Sequence, residues 1–457
     1  MALPITLGKE PIPKLLKEYA VPAIIAMTAS SLYNMVDSIF IGHGVGALAI
    51  SGLAVTFPFM NLASAFGSLV GVGASTLLSV KLGAKDYAGA QKIVGNVVML
   101  NVIIGVCFTV VSLLFLDPIL YFFGASDNTI AYAREYMQII LLGNVVTHLY
   151  LGLNSVIRSS GHPRQAMAAT IVTVVLNAIL DPLFIFGFSW GIRGAAIATI
   201  LAQVVSLIWV IRILCGKNEV VRLHRGIFRI DSKIALDSLS IGLAPFLMNV
   251  ASCFIVILIN KGLQTHGGDL AIGAFGIVNR VSFIFIMIVM GFNQGMQPIA
   301  GYNYGARQMS RVMEVFWLTV KCATVITTVG FLLCELFPRL IAGVFTSDEE
   351  LLRYAIFGLR VTLVMYPLVG FQMVVSNFFQ SIGMASRAIF LSLTRQLIFL
   401  IPMLLILPNF LGIVGVWVSM PAADAAAVIV AFVMLMRYKK KHVDPLIAAE
   451  NNNEVKQ

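Results

Sequence analysis

Residues 46–53 read GALAISGL, and residues 268–275 read GDLAIGAF, the same pattern 222 positions later. Other pairs keep that register. LGAKD at Leu82 returns as YGARQ at Tyr304, and Ser159 and Gly161 match Ser381 and Gly383. GIRG at Gly191 returns as GIVG at Gly412, one residue out of step, and Pro22 and Pro245 fall early in their respective halves. A repeat this long, kept over the whole chain, makes the protein two copies of one unit.

What the unit is made of follows from its solvent. The 457 residues are 59% hydrophobic and 11% charged, far more apolar surface than a water-soluble domain can bury. Apolar windows place spans near 19–41, 51–80, 93–115, 132–157, 165–187, 194–214, 238–262, 271–300, 315–337, 354–380, 388–408 and 415–436. The expected fold is an all-α integral membrane protein of 12 transmembrane helices, in two pseudo-symmetric six-helix lobes around a central cleft. The expected division is an N-lobe over 1–214, a cytoplasmic linker over 215–237, a C-lobe over 238–437 and a disordered cytoplasmic tail over 438–457. Six spans per half give a parallel repeat, its axis along the membrane normal, which suits alternating access by rocking of the lobes.

Charge sets the orientation. With both termini inside, the cytoplasmic loops and tails hold 22 of the 31 Lys and Arg and the opposite loops hold five. The formal charge of +10 is this bias and not a nucleic-acid surface, because no basic cluster is interleaved with aromatics. The five cysteines have neither CxxC nor metal spacing, and no removable signal peptide is expected.

Ionisable groups inside the spans carry the function. Asp37 sits about four residues below the outer end of the first span, Asp181 about six below that of the fifth, and Thr199 about five into the sixth. Helical rise puts the three within roughly 3 Å of one depth, and Asn177 lies one turn inward of Asp181 on the same face. Two carboxyls, an amide oxygen and a hydroxyl suit a proton or Na⁺, so Asp37, Asn177, Asp181 and Thr199 are the expected coupling site and the expected Na⁺ ligands. Pro182 removes a backbone donor beside them. The second half has no copy: Asp181 meets Pro402 or Met403, and Thr199 meets Met420. Polarity that the shared scaffold needs would occur twice, so the unduplicated cluster points to function. Asp424, which matches Gln203, reads equally as structural or coupling, and Arg280, Lys321 and Arg360 either line an aqueous cleft or snorkel.

The stretches PAIIAMTASSLYNMVDSIFIGHGVGALAISGL, LGAKD, NSVIRSSGHPR, NAILDPLF and GIRGAAIAT resemble the multidrug and toxic-compound extrusion (MATE) family, prokaryotic branch, across essentially the whole folded chain. The resemblance implies an antiporter that exports cationic amphipathic compounds in exchange for H⁺ or Na⁺. It implies the same four residues as the cation site, and Pro22 as the point where the first helix bends. Phe57, Met60, Asn154, Gln203, Met287, Met290 and Gln372 are the expected substrate-cavity residues. One branch of the family carries acidic coupling residues on the spans matching 238–262 and 354–380, where this chain has neither Asp nor Glu. The alternative within transport is a lipid-linked precursor flippase, which calls for a cleft rich in Arg and Lys. An intramembrane enzyme lacks a nucleophile–base pair or a metal-spaced cluster. The expected setting is the bacterial inner membrane, as a monomer, with small cationic substrates and lipid as partners, no nucleic acid and no cofactor beyond the coupling ion.

Overall fold

The computed structural model describes residues 6–45, 47–216, 219–224 and 226–454. Gly46 of GALAISGL and residues 455–457 of the tail lie outside the described residues. Among the described residues the chain is helical and contains no strand. Nine helices are long and apolar enough to cross a membrane, and two bent pairs bring the number to eleven. The 33-residue helix Ile12–Gly44 completes twelve. Long apolar runs take this form in lipid because each backbone N–H and C=O must find its partner within the segment.

In chain order the helices are α1 (Ile12–Gly44), α2 (Ala47–Gly83), α3 (Tyr87–Leu114), α4 (Ile130–Leu142 and Asn144–Ser159), α5 (Pro163–Gly187) and α6 (Gly191–Leu214). The second set is α7 (Ser232–Gly268), α8 (Leu270–Gly305), α9 (Met309–Leu336), α10 (Glu349–Leu363 and Tyr366–Ser381), α11 (Ala385–Leu411) and α12 (Ile413–Tyr438).

The repeat reappears in the backbone. Lys85 and Arg307, 222 apart, turn with φ of 60° and 59°. Gly161 and Gly383 also take positive φ, as do Gly191 and Gly412 at 55° and 58°. Spans expected to be continuous over 132–157 and 354–380 are instead broken, α4 by 54° and α10 by 52°. The breaks fall at Gly143 and near Met365, again 222 apart, so the kink belongs to the repeated unit. In α10 the cause is Pro367, which cannot donate to the turn before it.

Packing divides the chain into two compact units, Met1–Glu10 with Ile25–Phe246 and Pro11–Ile24 with Leu247–Gln457. The boundary expected in 215–237 therefore falls inside α7, and the start of α1 joins the second unit. Close approach explains both shifts. In the second unit a Cβ on Gly295 would lie 2.7 Å from the Ala20 nitrogen, and one on Gly291 would lie 2.3 Å from Ile24 Cγ1. Only glycine lets α8 seat that part of α1. In the first unit the start of α7 packs on α2 in the same way, with Gly73 against the Ser238 carbonyl. The first unit has a core of Ile41, Phe59, Tyr136, Met137 and Ile185. The second has Leu263, Val278, Leu359, Leu363 and Trp417.

The tail departs from the expectation of disorder. A π-helical turn, Lys439–Val443, leads from α12 into a further helix, Asp444–Glu454. Glu450 fixes it: its carboxylate accepts from the Met309 N–H, from the Ser310 N–H at 3.1 Å and from the Ser310 hydroxyl. Those are donors that the start of α9 leaves without helical partners.

Candidate functional site

The fifth helix is irregular where the function was expected. Pro182 has no N–H for the Ala178 carbonyl, and the chain continues as a π-helical turn over Leu183–Gly187. The first residues of α6 then pack hard against that turn. A Cβ on Gly194 would lie 2.9 Å from the Phe184 carbonyl carbon, so glycine is what admits α6 so close. The approach brings Thr199 of α6 against Asn177 of α5.

The four expected residues form one cluster within the first unit. Asp37, Asn177, Asp181 and Thr199 are each at most 5% exposed. Asn177 Nδ2 donates to Asp181 Oδ1 at 3.2 Å and to Thr199 Oγ1 at 3.2 Å. Thr199 in turn donates to the Ala195 carbonyl at 3.1 Å. The Asp37 carboxyl adjoins that of Asp181. Three oxygens at the site, Asp37 Oδ1, Asn177 Oδ1 and Asp181 Oδ2, are buried with no hydrogen-bond partner among the described residues. Buried polar atoms without partners are costly, and here all three are acceptors. An all-oxygen set with two carboxyls fits a proton or a hard monovalent cation. Among the described residues no group of three His, Cys, Asp or Glu gathers as a softer metal would need.

The second unit treats its intramembrane carboxyl differently. Asp424 of α12, 3% exposed, receives a hydrogen bond from Arg395 Nε at 2.5 Å. Arg395 stands in a π-helical stretch of α11, Thr394–Leu400. This pairing was missed from the sequence, although a signal was present: two opposite charges on consecutive apolar spans cost less together than apart. Arg360 faces Glu335 at 3.7 Å, and Lys321 and Arg280 are exposed.

The expected substrate-cavity residues divide between the units. In the first, Phe57 is exposed, Met60 accepts from the Thr56 hydroxyl, and Gln203 accepts from Thr147 Oγ1 at 2.5 Å. Asn154 is engaged at both ends of its amide, donating to the Ala166 carbonyl at 3.0 Å and accepting from Arg158 at 3.3 Å. That ties α4 to α5 and connects it to none of the four cation-site residues. In the second unit Gln372 is buried, while Met287 and Met290 are half-buried.

The family model MatE matches residues 22–183 and matches again over 241–406, once in each half of the repeat. The chain belongs to the MatE family. Among curated relatives, the multidrug export protein MepA of Staphylococcus aureus (strain MSSA476) is 28% identical over 427 residues, 93% of this chain and 94% of that one. A crystal structure of MATE in the bent conformation superposes with a TM-score of 0.91 at 26% identity, covering 98% of both chains. The structure of the MATE multidrug transporter DinF-BH, solved in complex with a ligand, is 37% identical, with a TM-score of 0.88, covering 94% of this chain and 97% of that one. The twelve-helix, two-lobe MatE fold thus covers essentially the whole chain, and this is a multi-pass membrane protein of a transport family.

Proposed function

We propose that the chain is a secondary antiporter of the bacterial inner membrane that exports cationic amphipathic compounds in exchange for H⁺ or Na⁺. The observation that carries this reading is the buried cluster of Asp37, Asn177, Asp181 and Thr199, with its three partnerless acceptor oxygens. A proton or Na⁺ arriving there satisfies acceptors that nothing else in the cluster meets. Asn177 holds Asp181 and Thr199 at fixed distances, so the site is ordered before the cation enters. Reciprocity then requires that the coupling ion weaken substrate binding by the same factor by which substrate weakens the ion's.

Pro22 supports the conformational half of the cycle. The helix that carries Asp37 is divided between the two packing units at Ile24 and Ile25, two residues beyond Pro22. A proline lacking its N–H is where such a helix bends at least cost. The excess of Lys and Arg on one side supports an orientation with both termini in the cytoplasm. A lipid-linked precursor flippase is less favoured, because Arg395 and Arg360 already face Asp424 and Glu335 and are not at hand for a pyrophosphate.

Proteoliposomes with a pH gradient and a Na⁺ gradient imposed separately test the reading, with ethidium as the transported dye. One gradient should drive export, and Asp181→Asn should lower the driven rate by about tenfold or more, the scale of a typical coupling energy. Wild-type rates in Asp181→Asn, or export that ignores both gradients, would sink it.

A further inference from the structure

The far end of α12 carries a basic pocket. The pocket, of about 450 Å³, is lined by Arg387, Arg437, Lys441 and His442, and among the described residues no acidic one lines it. Its other wall is apolar, with Phe390, Ile429 and Val433. Those three are 48%, 64% and 42% exposed, on helices that cross the membrane. A cavity that is cationic at the helix end and apolar along the span has the two-part chemistry of a lipid.

The cations are held by rings. The Arg387 guanidinium lies 4.8 Å from the Tyr438 ring centroid and 5.6 Å from that of Phe379. Tyr438 stacks on His442 at 5.2 Å. Cation–π contact fixes a guanidinium without neutralising it, so its N–H groups remain able to meet phosphate oxygens. The π-helical turn Lys439–Val443 brings Lys441 and His442 onto the same pocket as Arg437.

The repeat separates this pocket from a general excess of positive charge. Counted back in the register of each stretch, 222 residues for Arg387 and 221 beyond Gly412, Arg387, Arg437 and Lys441 correspond to Gln165, Gly216 and Val220. The equivalent end of the first half thus has no cation at any of the three positions, although a parallel repeat puts it at the same membrane surface.

We propose that this pocket binds the phosphate headgroup of an anionic phospholipid, with the acyl chains lying along Phe390, Ile429 and Val433. A soluble phosphate would leave the apolar wall uncovered, whereas a lipid covers both parts. Clustered Lys and Arg at the membrane surface favour anionic lipids in this way, and more weakly at high salt. The proposal does not depend on the antiport reading, and a failed export assay leaves it standing.

Native mass spectrometry of the full-length protein in detergent, titrated with dioleoyl-phosphatidylglycerol or dioleoyl-phosphatidylcholine, tests it. The wild type should retain phosphatidylglycerol at roughly thirtyfold lower concentration, the scale set by two basic contacts of about 1 kcal/mol each. Arg437→Gln/Lys441→Gln, both on exposed side chains, should reduce that preference to within about twofold with an unchanged melting temperature. Equal retention of the two lipids by the wild type overturns the proposal without reference to any variant. An undiminished preference in the double variant overturns the assignment to this pocket. Displacement of phosphatidylglycerol by millimolar inorganic phosphate overturns the lipid in favour of a soluble anion.

Discussion

Asp181 and Asp424 are both buried carboxyls on apolar helices, and the two halves of the protein meet their cost in opposite ways. In the second half the protein supplies the cation itself, since Arg395 donates to Asp424 at 2.5 Å. In the first half Asp181 is given another carboxyl and an amide, and three acceptor oxygens stay without partners. The positions matching Arg395 and Asp424 in the first half are Thr173 and Gln203, which make neutral hydrogen bonds to Ser206 and from Thr147. One scaffold thus carries a charge pair that is complete and a charge pair that is incomplete. Only the incomplete one has a reason to take an ion from outside, which is why the proposed coupling is assigned to it.

The largest expected effect would break this contrast. Arg395→Met leaves Asp424 buried and unpaired and should destabilise the protein by about 3–5 kcal/mol, read as a lower melting temperature in detergent. Removing both charges in Arg395→Met/Asp424→Leu should recover most of that loss and retain gradient-driven export. A folded double variant that no longer couples would place the coupling carboxyl in the second half and end the comparison. Next in size is Asn177→Ala, which deletes two hydrogen bonds of about 1 kcal/mol each. Both bonds are present without the ion, so their loss should cost about 2 kcal/mol of stability, read as a lower melting temperature. The concentration of coupling ion that gives half-maximal export should also rise, because the Asn177 oxygen is lost with them. The smallest is Thr173→Ala, the counterpart of the arginine change, which removes one neutral bond to Ser206. It should cost about 1 kcal/mol of stability and leave the ion dependence alone, and a shift in that dependence would mean the first-half cluster extends beyond its four residues.

Much of this was legible in the sequence, for definable reasons. Spans follow from hydropathy, and the repeat follows from residues whose backbone is special, such as Lys85 and Arg307 at the same turn. The contact of Asp37 with Asp181 was reachable because helical rise converts sequence position into depth. The Arg395–Asp424 pair was not, because it depends on how α11 rotates through its π-helical stretch, and no period reports that. The kinks at Gly143 and Met365 lie inside unbroken apolar runs, so hydropathy passes over them. The helical tail was misread because its composition is polar. Its order comes from Glu450 meeting the start of α9 some 140 residues earlier in the chain.

The glycines that seat the start of α1 also bear on how the protein is made. Ala20 and Ile24 leave the ribosome before Gly291 and Gly295, which emerge about 270 residues later. At roughly 5–20 residues per second, that is a wait of tens of seconds. During it, the opening stretch of α1 is in the membrane without the surface that it finally packs against. The late partners make α1 the last helix of its half to be finished, although it is synthesised before the other five.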